Sequence, residues 1–524
     1  MDYDTIIFWF VVLSAVSGLM MVARRVRSVG SGWVILYLTI LALAVMGWFW
    51  MKSALIYSAF MMWLLFVLVP GLLGRTYYRF FLQQRYSTAY RLARAISWLH
   101  PTDGWRLQPE IVRALDLAQQ GDIEAASETL KRFQEVKSVL GLAAMTNLFR
   151  ITNQWEELLA WQARNSQELE RHPQMLPVLL RARGETGDVN GLVELYERHK
   201  DEIAKLVPAE SRDLCRLLLF AFCGKRALAE RLFAGNLVIL PDSTRDFWLA
   251  TADVAADLVE PARGEFERLL PAADPPMKRA IERRLSRLSM PTSPLTAFSE
   301  SAIANAALEH GHDERFGARP SLFSKYARVT QILIALNILM FVGEMYLGGG
   351  TNLETLYRLG ALFPPAVRLG EWWRLVTSLF LHFGALHLGM NMFALWLLAP
   401  FCEFALGSRK FLFVYLLAGI GSMAVVMAFA SGPKGEQITV GASGSVMGLV
   451  GATAGLTLRG WLREKALSAR RRLFAMFIIV AMQTVFDAMV PQVSMTAHLS
   501  GATIGFLLAI GLPDRLKKLS LSQS

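Results

Sequence analysis

Long apolar runs sit at both ends of this chain, and between them short apolar stretches alternate with polar breaks. Runs of about 20 apolar residues are long enough to cross a bilayer as helices. Three occur early, at Ile6 to Ala23, Trp33 to Met51 and Leu55 to Leu73. Six occur late, at Val329 to Leu347, Gly384 to Phe401, Phe411 to Ala430, Ser443 to Leu458, Leu473 to Met489 and Met495 to Leu512. The run from Ser443 is short and carries several glycines, so its apolarity alone would not assign it. The pattern predicts an all-α polytopic membrane protein. Residues 1–74 hold three transmembrane helices, 86–288 a soluble helical domain, 289–326 a linker, and 327–524 a membrane domain of six helices.

In the middle segment, turn-forming residues recur at Gly121-Asp122, Asn153, Gly187-Asp188 and Gly224, at intervals of 32, 34 and 37 residues. Each break precedes apolar residues at helical spacing, such as Ala125, Leu130 and Phe133, or Leu158, Leu159 and Trp161. A period near 34 residues points to helix-turn-helix repeats of the tetratricopeptide type, with an irregular helical bundle as the alternative. The signature fades after Gly235. Stacked repeats of this kind offer a concave face to a cytosolic protein partner. From Ser289 to Tyr326 the chain holds Pro291, Pro294, Pro320 and mixed charge, which reads as a linker in which His310 and His312 are solvated.

Composition narrows the class further. A 54% hydrophobic content over 524 residues is too apolar for a soluble protein, and mean hydropathy is +0.36. The net charge of +11 is concentrated beside the apolar runs, where lysine and arginine mark the cytosolic side; nucleic acid is the weaker explanation. Arg24, Arg25 and Arg27 follow the first run, and Arg75, Arg79 and Arg85 follow the third. Arg409 and Lys410 separate the second and third late runs, and a cluster from Arg459 to Arg472 separates the fourth and fifth. Arg515, Lys517 and Lys518 follow the last. Nine spans with the N-terminus outside place all of these clusters in the cytosol, which is the expected topology of a multi-pass cell-membrane protein, with the bacterial inner membrane as the expected compartment. Met1-Asp2-Tyr3-Asp4 has no positive n-region, so the first run is expected to remain as an anchor. The three cysteines, Cys215, Cys223 and Cys402, form no disulfide framework.

Polar groups inside apolar runs are costly without partners and are candidate functional groups. Ser443 opens one run within Gly441-Ala442-Ser443-Gly444, His498 begins another, and His387 and Asn391 lie one helical turn apart in a third. Taken alone, a Gly-Ala-Ser-Gly run is a small-residue packing surface. A hydroxyl, an imidazole and a carboxamide together are the parts of acyl-transfer chemistry. Gly444, Gly448, Gly451 and Gly455 on one helix, and Gly501 and Gly505 on another, would let the serine and histidine helices approach closely. No acidic residue is placed to orient His498 in the way of a triad; Asp487, at the end of the preceding span, is a weak candidate. Glu403 is expected to tie neighbouring helices. No histidine spacing suits a metal, and no phosphate loop is present, so neither metal nor cofactor is expected.

These residues resemble the rhomboid intramembrane serine proteases. The Gly-x-Ser-Gly motif is Gly441, Ser443 and Gly444; His-x-x-x-Asn is His387 and Asn391, with His382 five residues ahead; Ala-His-x-x-Gly-x-x-x-Gly is Ala497, His498, Gly501 and Gly505. Trp373-Arg374, within Gly370 to Leu375, and the preceding Leu359-Gly360-Ala361 match the loop before the second late span. The resemblance covers about Thr330 to Pro513. It departs where an aromatic can follow the serine by four residues, which here is Met447. It implies a six-helix rhomboid core in which Ser443 and His498 form a catalytic dyad and His387 and Asn391 serve the oxyanion site. His382, Trp373 and Arg374 would be structural neighbours of that site. The implied function is endopeptidase cleavage of transmembrane protein substrates within the lipid bilayer, at a site open to the exterior face. The alternative is a catalytically inactive relative that adapts membrane proteins to cytosolic partners.

Overall fold

The computed structural model describes residues 3–23, 31–50, 52–100, 102, 104–134, 138–165, 169, 172–288, 293–318, 320–430, 437–490 and 493–516. Among the described residues the architecture is all-α, and the one β-type pairing is an isolated bridge between Leu362 and Thr439. The chain divides into two compact units, Met1–Ala307 and Leu308–Ser524.

The first unit opens with α1 (Tyr3–Ala23), α2 (Ser31–Phe49) and α3 (Ser53–Trp63), and α3 continues through a π-turn at Leu64–Leu68 into α4 (Val69–Leu82). The expected third span ended at Leu73, but the helix runs on to Leu82 and carries its apolar half directly into the polar domain. Val11, Ala15, Ile40, Ala44 and Ala59 have no exposed surface where these helices meet. Trp63 Nε1 donates to Ser14 Oγ at 2.8 Å, so the indole body stays apolar while its one polar group finds a partner.

From α5 (Tyr86–Leu99) onward the unit is a series of helical hairpins. They pair α6 (Gln108–Gln120) with α7 (Ile123–Lys131), α8 (Val139–Thr152) with α9 (Trp155–Arg164), and α10 (Leu176–Thr186) with α11 (Val189–Arg198). After the short α12 (Lys200–Lys205), α13 (Ala209–Phe222) pairs with α14 (Arg226–Ala234) and α15 (Asp242–Ala255) with α16 (Val259–Leu269), and α17 (Pro275–Arg287) closes the series. The breaks legible in the sequence are the turns of these hairpins. Gly121, Asn153, Gly187 and Gly224 adopt φ of 103°, 61°, 85° and 69°, the left-handed cap that ends a helix. Asp122 and Asp188 then cap the next helix by accepting Ala125 N and Gly191 N, each at 3.0 Å. The pattern does not stop at Gly235: a fifth hairpin turns on Asp257, at φ 63°, where the absence of glycine hid it from the sequence. The last helix packs back on the first hairpin, with Gln119 Nε2 donating to Asp274 Oδ2 at 3.0 Å. The closure leaves a cavity of about 70 Å³ bordered by Gln84, Arg150, Arg181 and Trp248 among others.

A buried ionic knot ties the later hairpins together. Glu185, 3% exposed, pairs with Arg181 at 3.1 Å and Arg284 at 3.0 Å. The Arg181 guanidinium lies over the rings of Trp155 and Trp248, and that of Arg284 over Phe222. Cys215 and Cys223 are buried free thiols, and burial pushes the Cys223 thiol up to about 12.

The expected linker contains a helix, α18 (Ala297–Phe316). Its prolines and mixed charge read as a linker, and within it Thr296 Oγ1 accepts Ser299 N at 3.1 Å and starts a helix. His310 and His312, expected to be solvated, are 4% and 8% exposed. In the second unit the end of α18 is locked down by Phe316, 3% exposed, and by Arg315 Nη2 on Glu464 Oε2 at 2.6 Å. A side chain at Gly460 would strike the Phe316 ring.

Six longer helices build the second unit: α19 (Arg328–Tyr346), α23 (Ala385–Leu406), α24 (Ser408–Phe429), α25 (Ser443–Glu464), α26 (Leu467–Met489) and α27 (Met495–Gly511). Three short ones, α20 (Leu353–Leu359), α21 (Pro364–Arg368) and α22 (Arg374–Thr377), shape the loop between the first two. In the whole chain, six described helices are long and apolar enough to cross a membrane: Gly32–Phe49, Ser53–Leu82, Arg328–Tyr346, Ala385–Leu406, Ser408–Phe429 and Leu467–Met489. The apolar parts of α1 and α27 are shorter. The helix from Ser443 is not among the six, for a reason visible in its packing. Leu449, Val450, Ala452 and Thr457 have no exposed surface, so this helix is enclosed by protein and needs no lipid-facing apolar coat.

Charged residues finish the helix ends. Glu403 accepts Val329 N at 3.0 Å, Thr330 N and Thr330 Oγ1 at 2.9 Å, and Ser408 Oγ at 2.8 Å. It ties three helices as expected and places a carboxylate at the positive end of α19. Arg459 donates to the carbonyls of Ala509 and Leu512 at 2.9 and 2.5 Å, capping the end of α27.

Candidate active site

The contact between α25 and α27 is made by backbone against backbone. A side chain at Gly501 would strike the Gly444 carbonyl, one at Gly505 the Gly448 carbonyl, and one at Gly451 the Ala502 carbonyl. The expected approach of these two helices is therefore what the glycines permit. Ser443 is the first residue of α25 and His498 lies in the first turn of α27, so both belong to the same end of this contact.

Ser443 is delivered by a held segment. Thr439 pairs with Leu362, Gly441 N donates to Ser378 O at 2.9 Å, and Gly441 has φ 129°, a conformation that requires glycine. A methyl group added to Gly441 would lie 2.8 Å from His387 Cε1, 2.9 Å from His387 Nε2 and 3.7 Å from Ser443 Oγ. The His387 ring and the Ser443 hydroxyl thus border one small space, beside the unpaired amides of a helix N-terminus. Phe383 N donates to His387 Nδ1 at 3.2 Å. An imidazole nitrogen that accepts carries no hydrogen, so in neutral His387 the hydrogen is on Nε2, the atom beside Gly441. Asn391, 6% exposed, donates its Nδ2 to His387 O at 3.0 Å. Among the described residues no hydrogen bond joins Ser443 Oγ to His498.

His498 has a partner that the sequence reading ranked low. Its Nδ1 lies 2.8 Å from Asp487 Oδ2, and Gln483 Nε2 donates to Asp487 Oδ1 at 2.8 Å. The end of α26 folds over the start of α27, so an aspartate at the end of one span meets a histidine at the start of the next. The signal was present in the sequence as a carboxylate inside an apolar run, and Gln483 one turn earlier completes it.

The flanking residues expected beside the site make these contacts. His382 has no exposed surface, its backbone N donates to Glu344 Oε1 at 2.9 Å, and its ring meets His387 edge-on with centroids 5.3 Å apart. Arg374 donates to the carbonyls of Tyr357 and Ala361 at 2.6 and 3.1 Å and pairs with Glu371. Trp373 is 48% exposed and Trp372 58%, as suits indoles at a headgroup interface. Met447, where a ring was an alternative, packs with Val450, Met476 and Ala502. Among the described residues no group of histidine, cysteine and acidic side chains could hold a metal ion.

A polytopic helical protein with a serine at a helix N-terminus and histidines on two neighbouring helices is the class that these observations define. Residues 369–515 match the family model described as the Rhomboid domain. Rhomboid protease GluP of Bacillus subtilis (strain 168) is 36% identical over 35% of this chain and 35% of its own length. RHOMBOID-like protein 5 of Arabidopsis thaliana is 33% identical over 31% of this chain and 51% of its own length. The putative rhomboid protease YdcA of Bacillus subtilis (strain 168) is 34% identical, with 30% of this chain covering 71% of that protein. The chain spans between about a third and a half of the first two of these relatives. It belongs to the rhomboid family.

Proposed function

We propose that this protein is an intramembrane serine endopeptidase that cleaves transmembrane protein substrates with Ser443 as nucleophile and His498 as its base. One observation carries the reading: Ser443 Oγ and the His387 ring border the same space at Gly441, at the end of the α25–α27 contact that also carries His498. Ser443 Oγ attacks the scissile carbonyl carbon while its proton passes to His498 Nε2. The oxyanion so formed is met by His387 Nε2–H, the Asn391 amide and the amides at the start of α25. His498 then returns the proton to the leaving amine; a water molecule gives a proton to the same nitrogen as it attacks the acyl carbon, and that proton passes to Ser443 Oγ as the acyl–oxygen bond breaks. No metal or cofactor enters these steps.

Nine spans with the N-terminus outside account for the placement of the basic clusters, and they set Ser443, His387 and His498 toward the exterior face. The hairpins of the first unit support a cytosolic helical-repeat module that recruits a protein partner. The reading as an inactive adaptor is disfavoured because Ser443, His498, His387 and Asn391 are all retained. In purified liposomes, Ser443→Ala and His498→Ala should each abolish cleavage of a single-span substrate, and the double variant should lose no more than either alone. Native activity in either single variant overturns the mechanism. Comparing membrane-protein fragments in cells carrying the native chain or Ser443→Ala would then name substrates.

A further inference from the structure

The two nitrogens of His498 meet different surroundings. Nδ1 lies 2.8 Å from Asp487 Oδ2, and the Asp487 side chain has no exposed surface. Its other oxygen accepts Gln483 Nε2 at 2.8 Å. Gln483 and Asp487 are four residues apart on α26, so the helix itself holds them side by side. Gln483 Nε2 also lies 3.3 Å from His498 Nδ1, but an ionised carboxylate at 2.8 Å can only accept, so with Asp487 ionised Nδ1 carries the hydrogen and Nε2 keeps its lone pair. Each carboxylate oxygen has a donor, which is the condition for keeping such a group buried.

We infer that Asp487 is the positioning residue of His498, and that the working unit is Ser443, His498 and Asp487 braced by Gln483. This rests on the serine-protease reading above. Asp487 fixes the Nδ1–H form, holds the ring plane against Gln483, and stabilises the imidazolium formed when Nε2 takes the Ser443 proton. In that step the Ser443 O–H bond breaks, the Oγ–carbonyl carbon bond forms and the proton rests on Nε2. Asp487 neither gains nor loses one. A purely structural pair would occupy the same place but would leave the turnover of folded protein unchanged when its charge is removed.

The test uses the full chain in liposomes with a single-span substrate, measuring kcat and KM separately. A fluorophosphonate that labels an activated serine gives a second readout independent of substrate binding. Asp487→Asn should lower kcat on the order of a hundredfold or more, by analogy with loss of the orienting aspartate in soluble triads. KM should stay within about twofold, since the residue touches no substrate. Labelling of Ser443 should slow in parallel, and Asp487→Glu should recover part of both. A folded Asp487→Asn protein with native kcat and native labelling overturns the inference. If Asp487→Asn does not fold, Gln483→Leu decides: it keeps the carboxylate but removes its brace, and an unchanged kcat overturns the inference equally. Activity that survives Ser443→Ala would instead sink the serine-protease reading itself, so the two failures are distinguishable.

Discussion

Placing a single methyl group at Gly505 should cost turnover far more than stability. On the glycine backbone that methyl carbon would lie 2.6 Å from the Gly448 carbonyl carbon and 2.8 Å from its Cα, and closer still to the carbonyl oxygen. Comfortable carbon–carbon contact needs about 3.5–4.0 Å, so α27 must move away from α25 by roughly 1 Å. Overpacking of this kind costs about 1–3 kcal/mol, and the alanine recovers a little of that through its better helix propensity. Under the proposed mechanism the catalytic cost is larger. Gly505 lies two helical turns beyond His498 on the same helix, and a displacement of about 1 Å at a reacting pair lowers the rate by roughly a hundredfold. Gly505→Ala should therefore leave a folded protein with a modestly lower unfolding temperature and a kcat on a single-span substrate down by about two orders of magnitude. Gly343→Ala is the control, because a side chain there meets nothing within 4 Å. Native kcat in Gly505→Ala, with the control also native, would refute the argument that this backbone contact sets the serine–histidine distance.

Three further outcomes are expected. Phe316→Ala should destabilise the second unit by about 3–5 kcal/mol, measured by thermal unfolding in detergent; a truncated protein beginning at Arg319 should share that loss, and one beginning at Leu308 should not. Glu185→Gln should destabilise the helical hairpins by about 3–5 kcal/mol, because it leaves two buried guanidinium groups facing each other, and denaturant unfolding of the full chain would show it. A tag at Met1 should be reachable from outside intact cells, and tags near Gly187 or after Ser524 only after the membrane is opened; exterior labelling at Gly187 would overturn the proposed orientation.

Much of the helical layout was legible because lipid-facing surface imposes an apolar run whatever the tertiary structure. The helix from Ser443 shows the limit of that signal. Enclosed by its neighbours, it carries glycine, serine and threonine, and only its motif gave it away. The turns of the hairpins were legible wherever a left-handed residue was glycine or asparagine, and lost at Asp257, whose conformation its identity does not announce. The segment from Ala297 to Phe316 was misread because prolines at its flanks outweighed a weakly patterned interior. At the candidate site, Ser443, His387, Asn391 and His498 stood out as polar groups inside apolar runs, and their expected roles came from the rhomboid resemblance. The contact of Asp487 with His498 was not legible because sequence distance says little about which span ends meet, and that is decided by how α26 returns onto α27.

The glycine contact also separates two demands that a membrane protein normally has to balance. Where side chains fill the space between two helices, every change made to suit a different bilayer alters their separation. Here carbonyls rest directly on glycine Cα positions at successive turns, from Gly444 against Gly501 to Gly455 against the Phe506 carbonyl. The spacing is set by covalent backbone geometry, which does not drift with sequence. The outward faces of α19 and α26, by contrast, present Ile332, Leu339, Phe474 and Phe477 to the surroundings. Those faces are free to change with lipid thickness and fluidity while the spacing of α25 and α27 stays fixed.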